Sequence, residues 1–233
     1  MYLRKKSDEF KKERKIKSFV LRKRKIKPGN NEFLKNYYDK YSIEFSNKKI
    51  NFDELFEKKQ DLIVEIGFGN GNSLVRIAQK NPLYNYLGIE VFENGIIQIL
   101  KKIHKQKMQN ILIMKYDAKN IFEQCIENNT IKGIQLFFPD PWKKTRHKKR
   151  RLLDDNFIKL ICKKLINKGF FYFVSDCEDY AKCVKKYMKN REMELTRETL
   201  PIFHERPLTK FEEKSKKMNH TIYKITAIKR DKG

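Results

Sequence analysis

The sequence predicts an α/β protein with a mostly parallel sheet, and three observations carry that prediction. From residue 61 onward, short apolar runs alternate with amphipathic stretches of helical period, the pattern of strand-helix-strand units joined by right-handed crossovers. Five of those runs end in or beside an acid: Glu65, Glu90, Asp117, Asp140 and Asp176. The last two segments, M-E-L-T-R-E-T and H-T-I-Y-K-I-T-A-I, alternate with period two and have no helix between them. An antiparallel pair is therefore expected to close the sheet.

Taken in order, the chain opens on a basic arm. Residues 1–27 hold thirteen Lys or Arg against three acids, too charged to fold alone and suited to ordering on a partner. Within it, I-K-S-F-V-L-R alternates apolar and basic residues enough to dock. Pro28-Gly29-Asn30-Asn31 is expected to punctuate the arm, so that residues 1–31 form an appendage and 32–233 a single domain. Phe33, Tyr37, Tyr41 and Phe45 recur at every fourth position, which is one face of a helix. D-L-I-V-E-I is the first strand, followed by a helix over 72–80. The pattern repeats as N-Y-L-G-I-E-V with 94–107, I-L-I-M-K-Y with 118–128, G-I-Q-L-F-F with 154–167, and G-F-F-Y-F-V-S with 178–189. Residues 200–219 read as a long loop.

In such a sheet, ligands bind beyond the carboxyl ends of the strands. The first strand leads into Glu65-Ile66-Gly67-Phe68-Gly69-Asn70-Gly71. Gly67, Gly69 and Gly71 let the backbone turn tightly and pass close to a cofactor. This G-x-G-x-G is not the G-x-G-x-x-G of dinucleotide sites, and Glu65 beside it suits a cationic or hydroxyl-bearing ligand better than a pyrophosphate. Glu90, about 20 residues past the loop, can take both hydroxyls of a ribose. Asp117 can accept from an adenine amino group or N-cap the helix that follows. Five acids at five strand ends describe an acid-rimmed cleft. That fits S-adenosylmethionine, whose sulfonium is cationic, better than the phosphates of NAD.

The fourth run ends in F-F-P-D-P-W-K-K-T-R-H-K-K-R-R, residues 137–151. Asp140 lies between two prolines, the chain's only tryptophan (Trp142) follows, and seven of the nine residues from Lys143 to Arg151 are Lys or Arg. Over 233 residues the formal net charge is +25. Self-repulsion at that charge makes a polyanion, and hence nucleic acid, the expected partner. A hydrophobic content of 39% still supports a packed core. Cys125, Cys162, Cys177 and Cys183 form no C-x-x-C pair and have no His at zinc spacing. They are expected as reduced thiols of a cytoplasmic protein without a metal. No apolar run approaches a membrane span, and the basic N-terminus lacks the apolar core of a signal peptide.

These residues resemble a known family. I-K-S-F-V-L-R, V-E-I-G-F-G-N-G, G-I-E-V, F-F-P-D-P-W-K-K-T-R-H-K-K-R-R-L, Ser175-Asp176 followed by Tyr180-Ala181, and T-K-F-E at 209–212 are similar to segments of the bacterial tRNA (guanine-N7)-methyltransferases. The resemblance implies a Rossmann-like class I methyltransferase fold, with a mostly parallel seven-stranded sheet and one antiparallel strand near the C-terminus. It implies S-adenosyl-L-methionine as methyl donor, no metal, and tRNA as partner of a monomer or homodimer, with the target guanine in the variable loop. It implies Glu65, Glu90, Asp117 and Asp140 as cofactor contacts, with Asp140 also the active-site acid. Lys144, Asp176, Thr209, Lys210, Phe211 and Glu212 match substrate-binding positions, and Arg146, His147, Lys148, Lys149, Arg150 and Arg151 match the RNA-contacting stretch. The sequence departs from the family at Lys143 for proline, Phe92 for histidine, Ser175 for threonine, Lys214-Ser215 for Arg-Gly, and Asn219 for the glycine that often precedes His220.

The implied chemistry is simple. N7 of guanine carries a lone pair and no proton, so methyl transfer to it needs alignment at roughly 3–3.5 Å rather than a general base. The base becomes cationic, which a carboxylate at Asp140 or Asp176 favours. Trp142 either packs beside that site or belongs to the core. A base buried in folded RNA must first be unstacked. Three rivals stand beside this reading. Amino-directed methylases carry an acid or Asn before paired prolines, whereas here Asp140 lies between them. A non-catalytic RNA-binding module would not need the acids. An aminopropyltransferase would share the glycine loop, but a net charge of +25 disfavours polyamine substrates.

Overall fold

The computed structural model describes residues 17–19, 28–191 and 193–231. Its elements run α1 (Pro28–Tyr41), β1 (Leu62–Ile66), α2 (Asn72–Lys80), β2 (Asn85–Ile89), α3 (Glu93–Lys105), β3 (Ile111–Met114), α4 (Ala118–Asn120), β4 (Ile131–Phe137), α5 (Asp155–Lys164), β5 (Leu165–Ser175), α6 (Glu178–Lys189), β6 (Met193–Thr196), α7 (Lys210–Lys217) and β7 (Tyr223–Lys229). The strands form one seven-stranded sheet in the order β3-β2-β1-β4-β5-β7-β6. Strands β1 to β5 pair in parallel, and β7 is antiparallel to both β5 and β6.

Central parallel strands are covered on both faces, so their residues are apolar without alternation. Strand β1 shows how the two faces are filled. Ile63 points to one core with Tyr41 of α1, Leu74 of α2 and Ile99 of α3. Val64 and Ile66 point to the other, with Ile158 and Ile161 of α5 and Tyr180 and Val184 of α6. Each such fully buried side chain stabilises the fold by about 1.5–3 kcal/mol relative to exposure.

Four expectations are corrected. Pro28 does not punctuate the chain; it occupies the first position of α1, where its missing N–H has no helical partner to lose. Phe45 lies past the end of α1, beyond a bridge between Ser42 and Ile113, and stacks on Tyr116 with centroids 3.8 Å apart. The 118–128 helix is a single α turn that widens into a π turn over Ile121–Cys125; Lys49 and Lys164 then hold the carbonyl of Ile126 at 2.9 and 2.6 Å. The supposed loop at 200–219 contains a 3-10 turn, Pro201–Phe203, and helix α7. Among the described residues, no helix is long and apolar enough to cross a membrane.

Candidate active site

The ends of β1, β2 and β4 bring Glu65, Glu90 and Asp140 together at the carboxyl edge of the sheet, whereas the acids after β3 and β5, Asp117 and Asp176, stand apart from them. After β1, Gly67, Gly69 and Gly71 adopt φ of 71°, 57° and 75°, a region that side chains enter only with strain. The loop so formed is held by Glu90. Its Oε2 accepts from the Gly69 N–H at 2.9 Å, and its Oε1 accepts from the N–H groups of Val91 and Phe92 at 2.7 and 3.1 Å. Helix α3 presses close behind: a Cβ on Gly95 would stand 2.3 Å from the Gly69 carbonyl oxygen. Burial raises the Glu90 carboxyl above the ordinary glutamate value, against the pull of those three donors. Glu65, at the end of β1, is also fully buried. It accepts from Gln135 Nε2 at 2.6 Å. Burial pushes it up to about 8, Gln135 and Arg206 pull it back, and Glu90 raises it further.

A cleft of about 570 Å³ opens beside the loop. Of the residues anticipated from sequence, Glu65, Gly67, Gly69, Glu90, Asp140, Thr209, Lys210 and Phe211 line it; Gly71, Asp117, Lys144, Asp176 and Glu212 do not. Each exception has a structural reason except Lys144, which is exposed on the lip. Gly71 faces Ile99, which a Cβ would meet at 2.6 Å. Asp117 is the N-cap of α4, accepting from the Lys119 N–H at 2.8 Å. Asp176 accepts from Ser215 Oγ at 2.8 Å and faces His220 Nδ1 at 3.6 Å. Glu212 is turned inward onto Arg206. Sequence reasoning missed the aromatic walls: Phe19, Phe68, Phe92, Tyr116 and Phe138 all face the cleft. They come from separate segments, so no motif unites them.

The P-D-P-W loop is strained on both sides. Phe138 and Trp142 adopt φ of 49° and 44°, which costs roughly 1–2 kcal/mol each for a residue with a Cβ. The Phe138 N–H donates to the Val174 carbonyl at 2.8 Å, and the two kinks thrust Asp140 to the exposed rim of the cleft. The protein atoms around it raise its carboxyl, while Arg150 lowers it. Trp142 is not a core residue. It is half-buried, its Nε1 donates to the Ser18 carbonyl at 3.1 Å, and the Arg150 guanidinium lies 4.1 Å above its ring. The arm thus reaches the cleft at residues 17–19, with Ser18 and Phe19 both lining it; the remainder of I-K-S-F-V-L-R lies outside the described residues.

The basic run divides into two groups. Arg151 is buried: it donates to the Pro141 carbonyl at 2.9 Å, pairs with Asp179 at 2.7 Å and lies over the Tyr180 ring. It fastens the P-D-P-W loop to α6 and, unlike the exposed cations of the run, is turned inward. Lys148 shares Asp179 at 2.9 Å, and these two cations hold the Asp179 carboxyl below its ordinary value. Lys143, Lys144, Arg146 and Lys149 are exposed around a 3-10 turn, Thr145–Arg150. His147 sits edge-on to Trp142, its pKa lowered by partial desolvation and by Arg146, Arg150 and Lys144.

Residues 59–225 match the family model described as "Putative methyltransferase". A protein of Francisella philomiragia named tRNA (guanine-N(7)-)-methyltransferase is 41% identical over 215 residues, covering 91% of this chain and 94% of its own. The chain belongs to the tRNA (guanine-N(7)-)-methyltransferase family. Members from Buchnera aphidicola and Actinobacillus succinogenes are 37% and 35% identical, over 91% and 93% of this chain and 89% and 88% of theirs. Among solved structures, the 16S rRNA methyltransferase KamB superposes with a TM-score of 0.57 at 11% identity, covering 77% of this chain and 93% of its own. A SAM-dependent O-methyltransferase of Thermotoga maritima gives 0.50 at 18%, covering 91% and 69%. These two show the fold, a class I methyltransferase sheet. In this tRNA (guanine-N(7)-)-methyltransferase family member, no group of three or more His, Cys, Asp or Glu is placed to hold a metal among the described residues.

Proposed function

We propose that the protein transfers a methyl group from S-adenosyl-L-methionine to N7 of a guanine in the variable loop of tRNA, in the cytoplasm. The observation that carries this reading, beside the family, is one juxtaposition. Asp140 stands at the rim of an acid- and glycine-lined cleft, and exposed cations begin three residues later at Lys143.

The residues present fit the cofactor. Glu65 is a buried carboxyl that gains from a neighbouring cation, Gly67 and Gly69 leave the backbone bare, and the aromatic walls suit a flat base. S-adenosylmethionine, when bound, supplies a methyl group on positively charged sulfur. The chain's own work is to hold and orient. Glu90 keeps the glycine loop in its turn, and Glu65 closes the floor. In this reading Asp140 orients the guanine by accepting from its N1–H and exocyclic amine, and favours the cation that forms on the ring. Lys144, Arg146 and Lys149 grip phosphates at the lip, with residues 1–27 as a basic arm reaching the same RNA.

The test is incubation with labelled S-adenosylmethionine and unmodified tRNA, followed by nucleoside analysis. Label in 7-methylguanosine supports the reading. Label in N6-methyladenosine would favour the amino-directed alternative, and no label in any nucleoside overturns methyl transfer to tRNA.

A further inference from the structure

The T-K-F-E segment divides its labour between two faces. Thr209 is the N-cap of α7, its Oγ1 accepting from the Glu212 N–H at 3.0 Å; the spacing is that of a capping box. Lys210 and Phe211 line the cleft, and Phe211 is 66% exposed at its mouth. Glu212 turns the other way. Instead of closing the capping box with its side chain, it pairs with Arg206 at 2.7 Å, the two side chains 2% and 5% exposed.

Arg206 has further contacts. Its Nη1 donates to the Pro207 carbonyl at 3.0 Å. Its guanidinium lies 4.6 Å from the centroid of Phe137, the residue that ends β4 and leads into the strained P-D-P-W loop. Its charge is also felt by Glu65 on the cleft floor. One buried cation therefore joins the end of β4 to the first turn of α7. A second tie, Ser215 to Asp176 at 2.8 Å, holds the following turn of the helix to the end of β5.

We propose that Arg206 is a positioning residue for methyl transfer: its buried pair with Glu212 fixes α7 against the end of β4, so that Lys210 and Phe211 face the base that enters the cleft. A buried ion pair adds little stability over well-packed apolar residues, yet it admits few geometries, and the planar guanidinium fork makes it directional. That combination suits orientation better than strength. The proposal rests on the reading that Lys210 and Phe211 meet the RNA.

The test compares the parent with R206M/E212M and K210A/F211A. The first double substitution removes both charges together, so no unpaired charge is left buried. R206M/E212M is expected to unfold within a few degrees of the parent and to bind S-adenosylmethionine within about twofold by calorimetry. Its kcat on tRNA should fall tenfold or more, with KM for tRNA within about threefold, because the wider grip on RNA lies on the lip and arm. A folded R206M/E212M with parental kcat overturns the proposal. So does loss of folding or of cofactor binding, since the pair would then be merely structural. If K210A/F211A also keeps parental kinetics, the failure belongs to the substrate-facing reading of α7. If K210A/F211A is impaired while R206M/E212M is not, only the role of Arg206 fails.

Discussion

At Glu65, burial and charge pull in opposite directions. Folding raises its carboxyl from 4.5 to about 8, so the folded protein keeps a proton that the unfolded chain releases. The stability tied to that proton is fully present below about pH 4.5 and is lost as the pH climbs to about 8. Glu65→Gln carries no titrating proton. Its thermal midpoint, measured without cofactor, should therefore rise relative to the parent as the pH goes from about 5 to about 8. A difference independent of pH would show that the carboxyl is not held in its neutral form. A protonated Glu65 also carries the donor that its buried neighbour Gln135 Oε1 lacks among the described residues. Asp140 differs in place, at the exposed rim rather than on the floor. Asp140→Asn should lower turnover by about 10²–10³-fold, the scale of one preorganised electrostatic contact, while tRNA affinity by filter binding stays within about twofold. Surviving activity would remove Asp140 from its assigned role.

At the scale of elements, α7 shows what holds a helix without an apolar stripe. Its C-terminus is a Schellman motif: the His220 N–H donates to the Ser215 carbonyl and the Asn219 N–H to that of Lys216, with Asn219 at φ 54°. Asn tolerates this left-handed conformation, so the turn forms without a glycine. Asn219→Gly should accordingly leave stability within about 0.5 kcal/mol, whereas Asn219→Ala should cost about 1 kcal/mol, read from denaturant midpoints. Equal midpoints would mean the terminus can unwind freely. The same helix marks where sequence reading stops. Helices α2 and α6 were legible to the residue, at 72–80 and 178–189, because each carries an apolar face of helical period. K-F-E-E-K-S-K-K has none, so α7 read as loop. The strand-end acids and the glycine turn were legible because they are local. Arg206 was not, since its partners on β4 and α7 meet only in the folded chain, and Asp117 could not be assigned until its cap to Lys119 was seen.

For the whole molecule the governing quantity is a charge of +25. Each phosphate neutralised steepens the log-log salt dependence of RNA binding by roughly 0.7–0.9. Residues 1–15 carry seven Lys or Arg, and deleting them should flatten the slope by about one or more while S-adenosylmethionine affinity is unchanged. An unchanged slope would make that part of the arm a spectator.

Sheet order and chain order disagree at one place. Strand β7 is the last of the seven in sequence, yet it lies between β5 and β6. Until it inserts, the hydrogen-bonding edge of β5 is bare and β6 has no strand beside it. The cleft is affected too, because α7 and the His220 that faces Asp176 are carried by the segment leading into β7. During synthesis the first five strands can pair as they emerge, but the sheet stays open at that edge until the final strand arrives. A nascent chain paused before Tyr223 is therefore not a nearly finished enzyme. It presents unpaired strand edges, the surface through which proteins aggregate, and the segment that matures the site is the same one that removes this hazard.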